Sequence, residues 1–475
     1  MNFEAVIGLE LHVAMKTKTK MFSSAAIDFK AAPNTLVNEI DLAFPGTLPS
    51  INKQAIINAI RVCDALHLNI DHELHFDRKN YYYPDLTKGY QITQARRPIG
   101  SDGYLDLEVN GRKNRVNIER LHLEEDTAMQ HHYSNYSLLD YNRAGIPLVE
   151  IVTRPEIHSA DEAMKFVETI REIVTYLDVS DGRMEEGSLR CDVNISLRLY
   201  GETTLGKKVE IKNLNSIANI GKAIEYEMYR QERVLLKGEK IVEETRRYDE
   251  SSRSTVQMRL KGEAADYKYF PEANIPPIHL SEAFVKEMIE SGPELASSKK
   301  KRYVETFLLS EYDASIILQN KETSEYFDEA SKLTNNYKTL ANWVNGEVAA
   351  HLNEKQTSIK ELAVKPTRLA ELVDLIESGQ VSNKQGREIF ALMLENSDSP
   401  LKIAKDHQMM QISDPSILLP VVIEILMANP QSIEDFKNGK DRAVGFLVGQ
   451  VMKKMRGKAN PTLVNQLVND ELKKY

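Results

Sequence analysis

The sequence predicts an α+β protein whose second half is entirely helical, and three observations lead there. Up to about Pro293 the chain runs in short segments of alternating apolar and polar residues broken by turn signals, the pattern of half-buried strands. Within that region two longer stretches, Asn52 to Leu68 and Ser159 to Leu177, carry helical periodicity instead. From "ESGPELASSKKKRYVETF" onward alternation stops and helical periodicity continues to the C-terminus. At 475 residues the chain exceeds one ordinary core. We expect three domains: 1–292 built on antiparallel sheet, 293–405 helical, and 406–475 a small helical tail.

The elements follow in order. "AVIGLELHVAMKTKTKMF" (Ala5 to Phe22) alternates and reads as a strand with one buried face; Glu10 and His12 share the other. "YLDLEVNGRKNRVNIERLHL" reads as two strands joined at Asn110-Gly111, a dipeptide suited to a tight hairpin turn. In the helix expected after Ser159, Asp161 and Glu162 favour the first turn. "GSLRCDVNISLR" alternates without a break. The run Lys299 to Arg302 opens the helical region and reads either as a nucleic-acid patch or as the solvated start of a helix. A second break falls at "LENSDSPLKIAKDHQMMQISDPS", followed by short helices with polar joints.

Composition is that of a globular protein, with 42% hydrophobic and 28% charged residues. The most apolar segment, Ile417 to Met427, is short and carries Pro420 and Glu424, so we expect a buried core helix and no membrane span. The N-terminus has no basic-then-apolar pattern, and Cys63 and Cys191 make no disulfide framework, so a cytoplasmic protein is expected. Net charge is −9, yet Lys437 to Tyr475 hold nine basic against three acidic residues. That tail reads as a solvated helical surface or as a polyanion-binding module.

Phosphate-binding loops, the nucleophile elbow and the zinc-protease helix are all missing from the sequence. The chemistry-bearing residues are acids in apolar strand contexts: Glu124 and Glu125 in "RLHLEEDTA", Glu150 in "GIPLVEIV", Asp192 and Asn194 in "CDVNISL", and Glu210 and Lys212 in "KKVEIKNLNS". Buried acids are costly unless paired or metal-bound. Several carboxylates with the His12 imidazole would suit one or two divalent ions; each residue taken alone reads first as the wet face of a sheet. Glu124 and Glu125 are adjacent, so a regular strand sends them to opposite faces unless a bulge or strand end intervenes.

The blocks "VIGLELHVAMKTKTKMF", "FDRKNYYYPDLTKGYQITQ", "RLHLEEDTA", "MEEGSLRCDVNISLR", "EIKNLNS", "ETRRYDE" and "DYKYFPEANIPP" resemble the signature of one family, the B subunits of bacterial tRNA-dependent amidotransferases (the GatB family). "AVGFLVGQVMKKMRGKANPTLVNQLV" resembles its tail module. The resemblance implies a cradle-like first domain related to glutamine synthetase, and a heterotrimer with an amidase A subunit and a small C subunit. It implies ATP and Mg²⁺, and phosphorylation of the side-chain carboxylate of Glu-tRNA(Gln) or Asp-tRNA(Asn). Ammonia released by the amidase would then displace phosphate.

By the same resemblance, His12, Glu125 and Glu150 would surround one metal, and Glu10, Glu124 and Glu210 a second, nucleotide-linked one. Asp192, Asn194 and Lys212 would position phosphate or substrate, and Lys79 and Lys88 would lie along the ammonia route. For Lys79 a surface ion pair with Asp77 or Asp85 is the lesser alternative. Lys453, Lys454, Arg456 and Lys458 would contact tRNA, mostly at phosphate. One departure stands out. Many members carry a zinc knuckle, but the corresponding positions here are Ser23, Ala25, Asn38 and Asp41. Without thiolates we expect no structural zinc and a segment held by packing alone. Two other functions compete: a tRNA-docking scaffold without chemistry, and a free-standing ligase for a small amino acid.

Overall fold

A computed structural model describes residues 2–260, 266–438, 440, 442–455 and 457–475. It divides into two compact units, Met1–Leu295 and Ala296–Tyr475. The first is built on a nine-stranded sheet, whose strands we number in chain order: β1 (Phe3–Ala14), β2 (Asn69–Ile70), β3 (Gly100–Val109), β4 (Arg112–Glu125), β5 (Pro147–Thr153), β6 (Leu189–Leu199), β7 (Val209–Lys212), β8 (Glu244–Asp249) and β9 (Ser254–Leu260). Their spatial order is β9-β8-β7-β6-β1-β5-β4-β3-β2. Every neighbouring pair is antiparallel except β7 and β8, which run parallel.

Alternation decides the two faces. Leu9, Leu11 and Val13 of β1 and Leu121 and Leu123 of β4 are buried on one face. Three helices cover that face: α1 (Lys53–Ala65), α2 (Ala160–Tyr176) and α3 (Ile217–Leu236). They contribute Ile56, Ile60, Phe166, Ile170, Ile220 and Ile224 to one continuous core. Asn52 caps α1 by accepting from the N–H groups of Gln54 and Ala55, and Ser159 caps α2 by accepting from that of Glu162. Gly103 lets β3 lie close to α1, since a Cβ there would stand 2.5 Å from the Leu66 carbonyl oxygen. The hairpin at Asn110-Gly111 forms as expected, with φ of 51° and 75° between paired Val109 and Arg112.

The segment after β1 is held by more than packing, which corrects our expectation. Lys20 is fully buried, and its Nζ lies 3.1 Å from Asp41 Oδ2 and donates to the Tyr141 carbonyl. The Ser23 hydroxyl donates to Asp41 Oδ1 at 2.7 Å, and the Asn38 amide N–H to Asp41 Oδ2 at 3.0 Å. Ser23, Asn38 and Asp41, three of the four positions that the resemblance set against a zinc knuckle, thus join a buried ion-paired knot around Asp41. Lys20→Met leaves that carboxylate buried without its cation, and is expected to cost about 3–5 kcal/mol of stability in denaturant unfolding.

Every named element in the described part of the second unit is a helix, joined by loops and one isolated bridge between Ile412 and Ala459. Helix Ala296–Glu305 does not present its basic run wholly to water: Lys299 is buried on Asp328 at 2.7 Å and Arg302 reaches the same carboxylate at 3.1 Å. Helix Pro415–Ala428 buries only one stripe, Leu418, Val422 and Leu426, whereas Ile417 and Met427 are exposed. The stripe joins Leu447, Val451, Val464 and Val468 in a separate apolar cluster; on that cluster we keep a tail module, 406–475, as a proposal. Among the described residues no single helix is long and apolar enough to cross a membrane.

Candidate active site

The polar face of the sheet gathers its acids by register. His12 on β1 stands opposite Glu150 on β5 and Arg190 on β6, and Glu150 stands opposite His122 on β4. One row therefore crosses four adjacent strands: His122, Glu150, His12, Arg190. Two residues along β1, Glu10 faces Asp192; further on, Asn194 faces Glu210. Glu124 is two residues beyond His122 on the same face.

Distances within the row are short. His12 Nε2 lies 3.8 Å from Glu10 Oε1, 3.5 Å from Glu124 Oε1 and 3.5 Å from Glu150 Oε2. His122 Nε2 lies 3.2 Å from Glu150 Oε2 and 3.7 Å from Glu124 Oε2. Glu10, His12 and Glu150 form one group able to hold a metal ion; His122, Glu124 and Glu150 form another. Glu10, His12, His122 and Glu150 line a cavity of about 930 Å³ together with Lys79, Asp192, Asn194, Glu210 and Lys212, within the range of small-molecule and cofactor sites.

The electrostatics show a site under strain. Burial raises the Glu10 carboxyl above its ordinary value, and the charge of Glu150 adds to it. Burial would raise Glu150 too, but the His122 charge and the His12 hydrogen bond hold it well below the usual carboxylate range. Burial would lower His122; Glu150 first and Glu124 next push it up to about 9. The same two acids overcome burial to raise His12. Three crowded carboxylates with imidazole donors form a set that suits a divalent cation, whose charge would relieve the repulsion on Glu10.

The expected ligand sets are grouped differently. Glu124 joins the row, but Glu125 stands on the core face beside Leu123, as alternation requires. Its carboxylate is hydrogen-bonded by Lys88 and by the Ile92 N–H at 3.0 Å. Lys88 is thereby drawn to Glu125, whereas Lys79 lines the cavity with its Nζ over the rings of Tyr267 and Tyr81. Asp77, the ion-pair partner considered for Lys79, is bound by Arg96. Glu210 accepts from Thr245 at 2.9 Å and lies 3.3 Å from Lys212, apart from the imidazoles. Lys212 also pairs with Asp192, and burial notwithstanding, Asp192 and Glu210 raise its ammonium above the ordinary value. The Asn194 Oδ1 is buried without a hydrogen-bond partner among the described residues.

Sequence reasoning missed His122 and Arg190. Each lies two residues from an expected site residue on its own strand, in "RLHLEE" and "SLRCDV"; carrying the alternation two positions further would have found both. Behind Arg190 lies Asp126, buried, with its carboxyl held below its ordinary value. Burial opposes this, but the Arg190 and Arg143 charges prevail. Such a group stabilises the fold above its unfolded pKa and loses that contribution as pH falls through the folded one. Asp126→Asn is therefore expected to lower stability at neutral pH and to flatten the acid limb of the stability curve below about pH 4, read by denaturant melts across pH.

In the tail, Lys453 and Lys454 end helix Arg442–Lys454 and, with Lys458, are exposed. Lys454 pairs with Glu424. Arg456 lies outside the described residues.

Two family models match the chain: the GatB/GatE catalytic domain over residues 5–286 and the GatB domain over residues 325–472. Relatives in Lysinibacillus sphaericus and Macrococcus caseolyticus are each 48% identical over 474 residues, covering 100% of both chains. One in Oceanobacillus iheyensis is 46% identical over 473 residues, covering 99% of both. All three are named as the B subunit of an aspartyl/glutamyl-tRNA(Asn/Gln) amidotransferase.

Proposed function

The chain belongs to the GatB family of amidotransferase B subunits, and from that premise we propose that its sheet face phosphorylates the side-chain carboxylate of Glu-tRNA(Gln) or Asp-tRNA(Asn) with ATP and then amidates it. The observation that carries this reading is two imidazoles, His12 and His122, beside Glu10 and Glu150 on one cavity wall, with Glu124 grouped against them. In the first step a carboxylate oxygen attacks the γ-phosphorus, the bond from that phosphorus to ADP breaks, and an acyl phosphate forms. In the second, ammonia attacks the acyl carbon, the carbon–oxygen bond to phosphate breaks, and the proton shed by nitrogen leaves with hydrogen phosphate. The first step turns an oxide leaving group into phosphate.

The residues that would hold Mg²⁺ are Glu10, His12 and Glu150, with His122 and Glu124; the ion supplies charge neutralisation on phosphoryl oxygens when bound. On this reading Lys212, held by Asp192 and Glu210, offers a fixed ammonium to phosphate, and Asn194 an unpaired polar group to the substrate. Lys79 and Lys88, the latter bound to Glu125, are assigned to the ammonia route from the amidase A subunit of a heterotrimer with a small C subunit. A glutamine synthetase-like cradle, a cytoplasmic location and tRNA contact by Lys453, Lys454, Arg456 and Lys458 belong to the same proposal.

The test is the assembled complex with labelled ATP, glutamine and charged or uncharged tRNA. ADP formation that requires charged tRNA supports the reading. Transamidation without ATP use, or no contribution from this subunit beyond tRNA binding, would refute it.

A further inference from the structure

We propose that Arg190 is a further catalytic residue, donating its guanidinium N–H groups to the oxygens of the transferring phosphoryl group, with Asp126 as its positioning residue. This role rests on the phosphorylation proposed above. Arg190 is in register with His12, in the same row as Glu150 and His122, and lines the cavity.

Three other cations of the cavity are engaged otherwise. Lys212 is bound by Asp192 and Glu210, both of them in the cavity. Arg96 is bound by Asp77, and Lys79 lies over tyrosine rings. Arg190 is held from behind. Its Nη2 donates to Asp126 Oδ1 at 2.9 Å, and Asp126 does not line the cavity that Arg190 lines.

Asp126 in turn is shared. Arg143 Nε donates to its Oδ2 at 2.7 Å, and Arg143 Nη2 donates to the Gly187 carbonyl at 3.0 Å. Gly187 has φ of 71°, a conformation that favours glycine, and a Cβ there would crowd the Arg143 guanidinium at 3.2 Å. One carboxylate between two guanidiniums leaves a net positive charge, and that charge reaches the cavity through Arg190. Its side chain keeps 41% of its surface open, and its Nε is buried with no hydrogen-bond partner among the described residues. A planar fork anchored at one nitrogen, with others unspent, suits the oxygens of a phosphoryl group between donor and acceptor.

The step gains no new atoms. As the carboxylate oxygen bonds to phosphorus and the bond to ADP breaks, charge spreads over three equatorial phosphoryl oxygens. A guanidinium that stays put through this change stabilises the transition state more than bound ATP.

The experiment measures charged-tRNA-dependent ADP formation by the assembled complex carrying Arg190→Ala, Arg190→Lys or Asp126→Asn. Arg190→Ala is expected to lower kcat about 10³-fold with the KM for charged tRNA unchanged, and added guanidinium ion, below denaturing concentrations, is expected to restore part of the rate. Lysine should substitute poorly, because it lacks the fork. Asp126→Asn should cost about tenfold, and much less again in the Arg190→Ala background, since the two act as one unit. An Arg190→Ala complex within a few-fold of the unsubstituted rate overturns the inference. So does a loss that guanidinium does not relieve and that tracks a lower unfolding midpoint. An unsubstituted complex that makes no ADP from charged tRNA overturns the phosphorylation reading and this inference with it.

Discussion

Glu150→Gln is expected to reduce charged-tRNA-dependent ADP formation by about 10³-fold or more while leaving tRNA binding intact. Glu150 is the one acid common to both groups able to hold a metal ion, and it lies within 3.5 Å of both imidazoles. Glutamine keeps its shape and removes its charge, so the change tests electrostatics and not packing. Losing several kcal/mol of transition-state charge stabilisation converts to a thousandfold or more in rate. Mn²⁺ binding by the substituted protein should weaken in parallel. Glu125→Ala makes a useful contrast: its carboxylate faces the core side on Lys88, so it should leave Mn²⁺ binding at the row almost unchanged. Equal loss of metal binding in both variants would contradict this grouping of the acids.

The second large effect is expected from the tail. Reversing Lys453, Lys454 and Lys458 together to glutamate should raise the KM for charged tRNA by about 10- to 100-fold at low salt and reduce the slope of log KM against log salt by two to three, one phosphate contact per residue. Lys454→Glu also sets two like charges together, because its partner is Glu424. Unchanged tRNA kinetics in the triple variant would show that this surface is merely solvated.

Much of the fold could be read from residue order, and particular residues show why. Period-two alternation in Leu9 to Val13 and in Leu189 to Leu197 reports burial directly, so the antiparallel sheet and its wet face were visible. The same rule foresaw the difficulty with Glu124 and Glu125, and the structure resolves it by sending Glu125 to the core side. What alternation does not report is which strands are neighbours. The row His122, Glu150, His12, Arg190 joins four strands drawn from positions 12 to 190, and only cross-strand register reveals that Glu150 is shared. The knot at Lys20 was hidden for a related reason. "KTKTK" reads as solvated lysines, and nothing local shows that the last of them is buried on a carboxylate 21 residues away. Arg190 escaped notice because its anchor, Asp126, sits on a distant segment.

The most direct test of the central claim follows one oxygen. Glu-tRNA(Gln) or Asp-tRNA(Asn) carrying ¹⁸O in both side-chain carboxylate oxygens is supplied to the complex with ATP and glutamine, and the inorganic phosphate is analysed by mass. If the sheet face makes an acyl phosphate, each phosphate released during amide formation carries one ¹⁸O from the substrate. Phosphate free of label, from a complex that still forms the amide, would contradict the account.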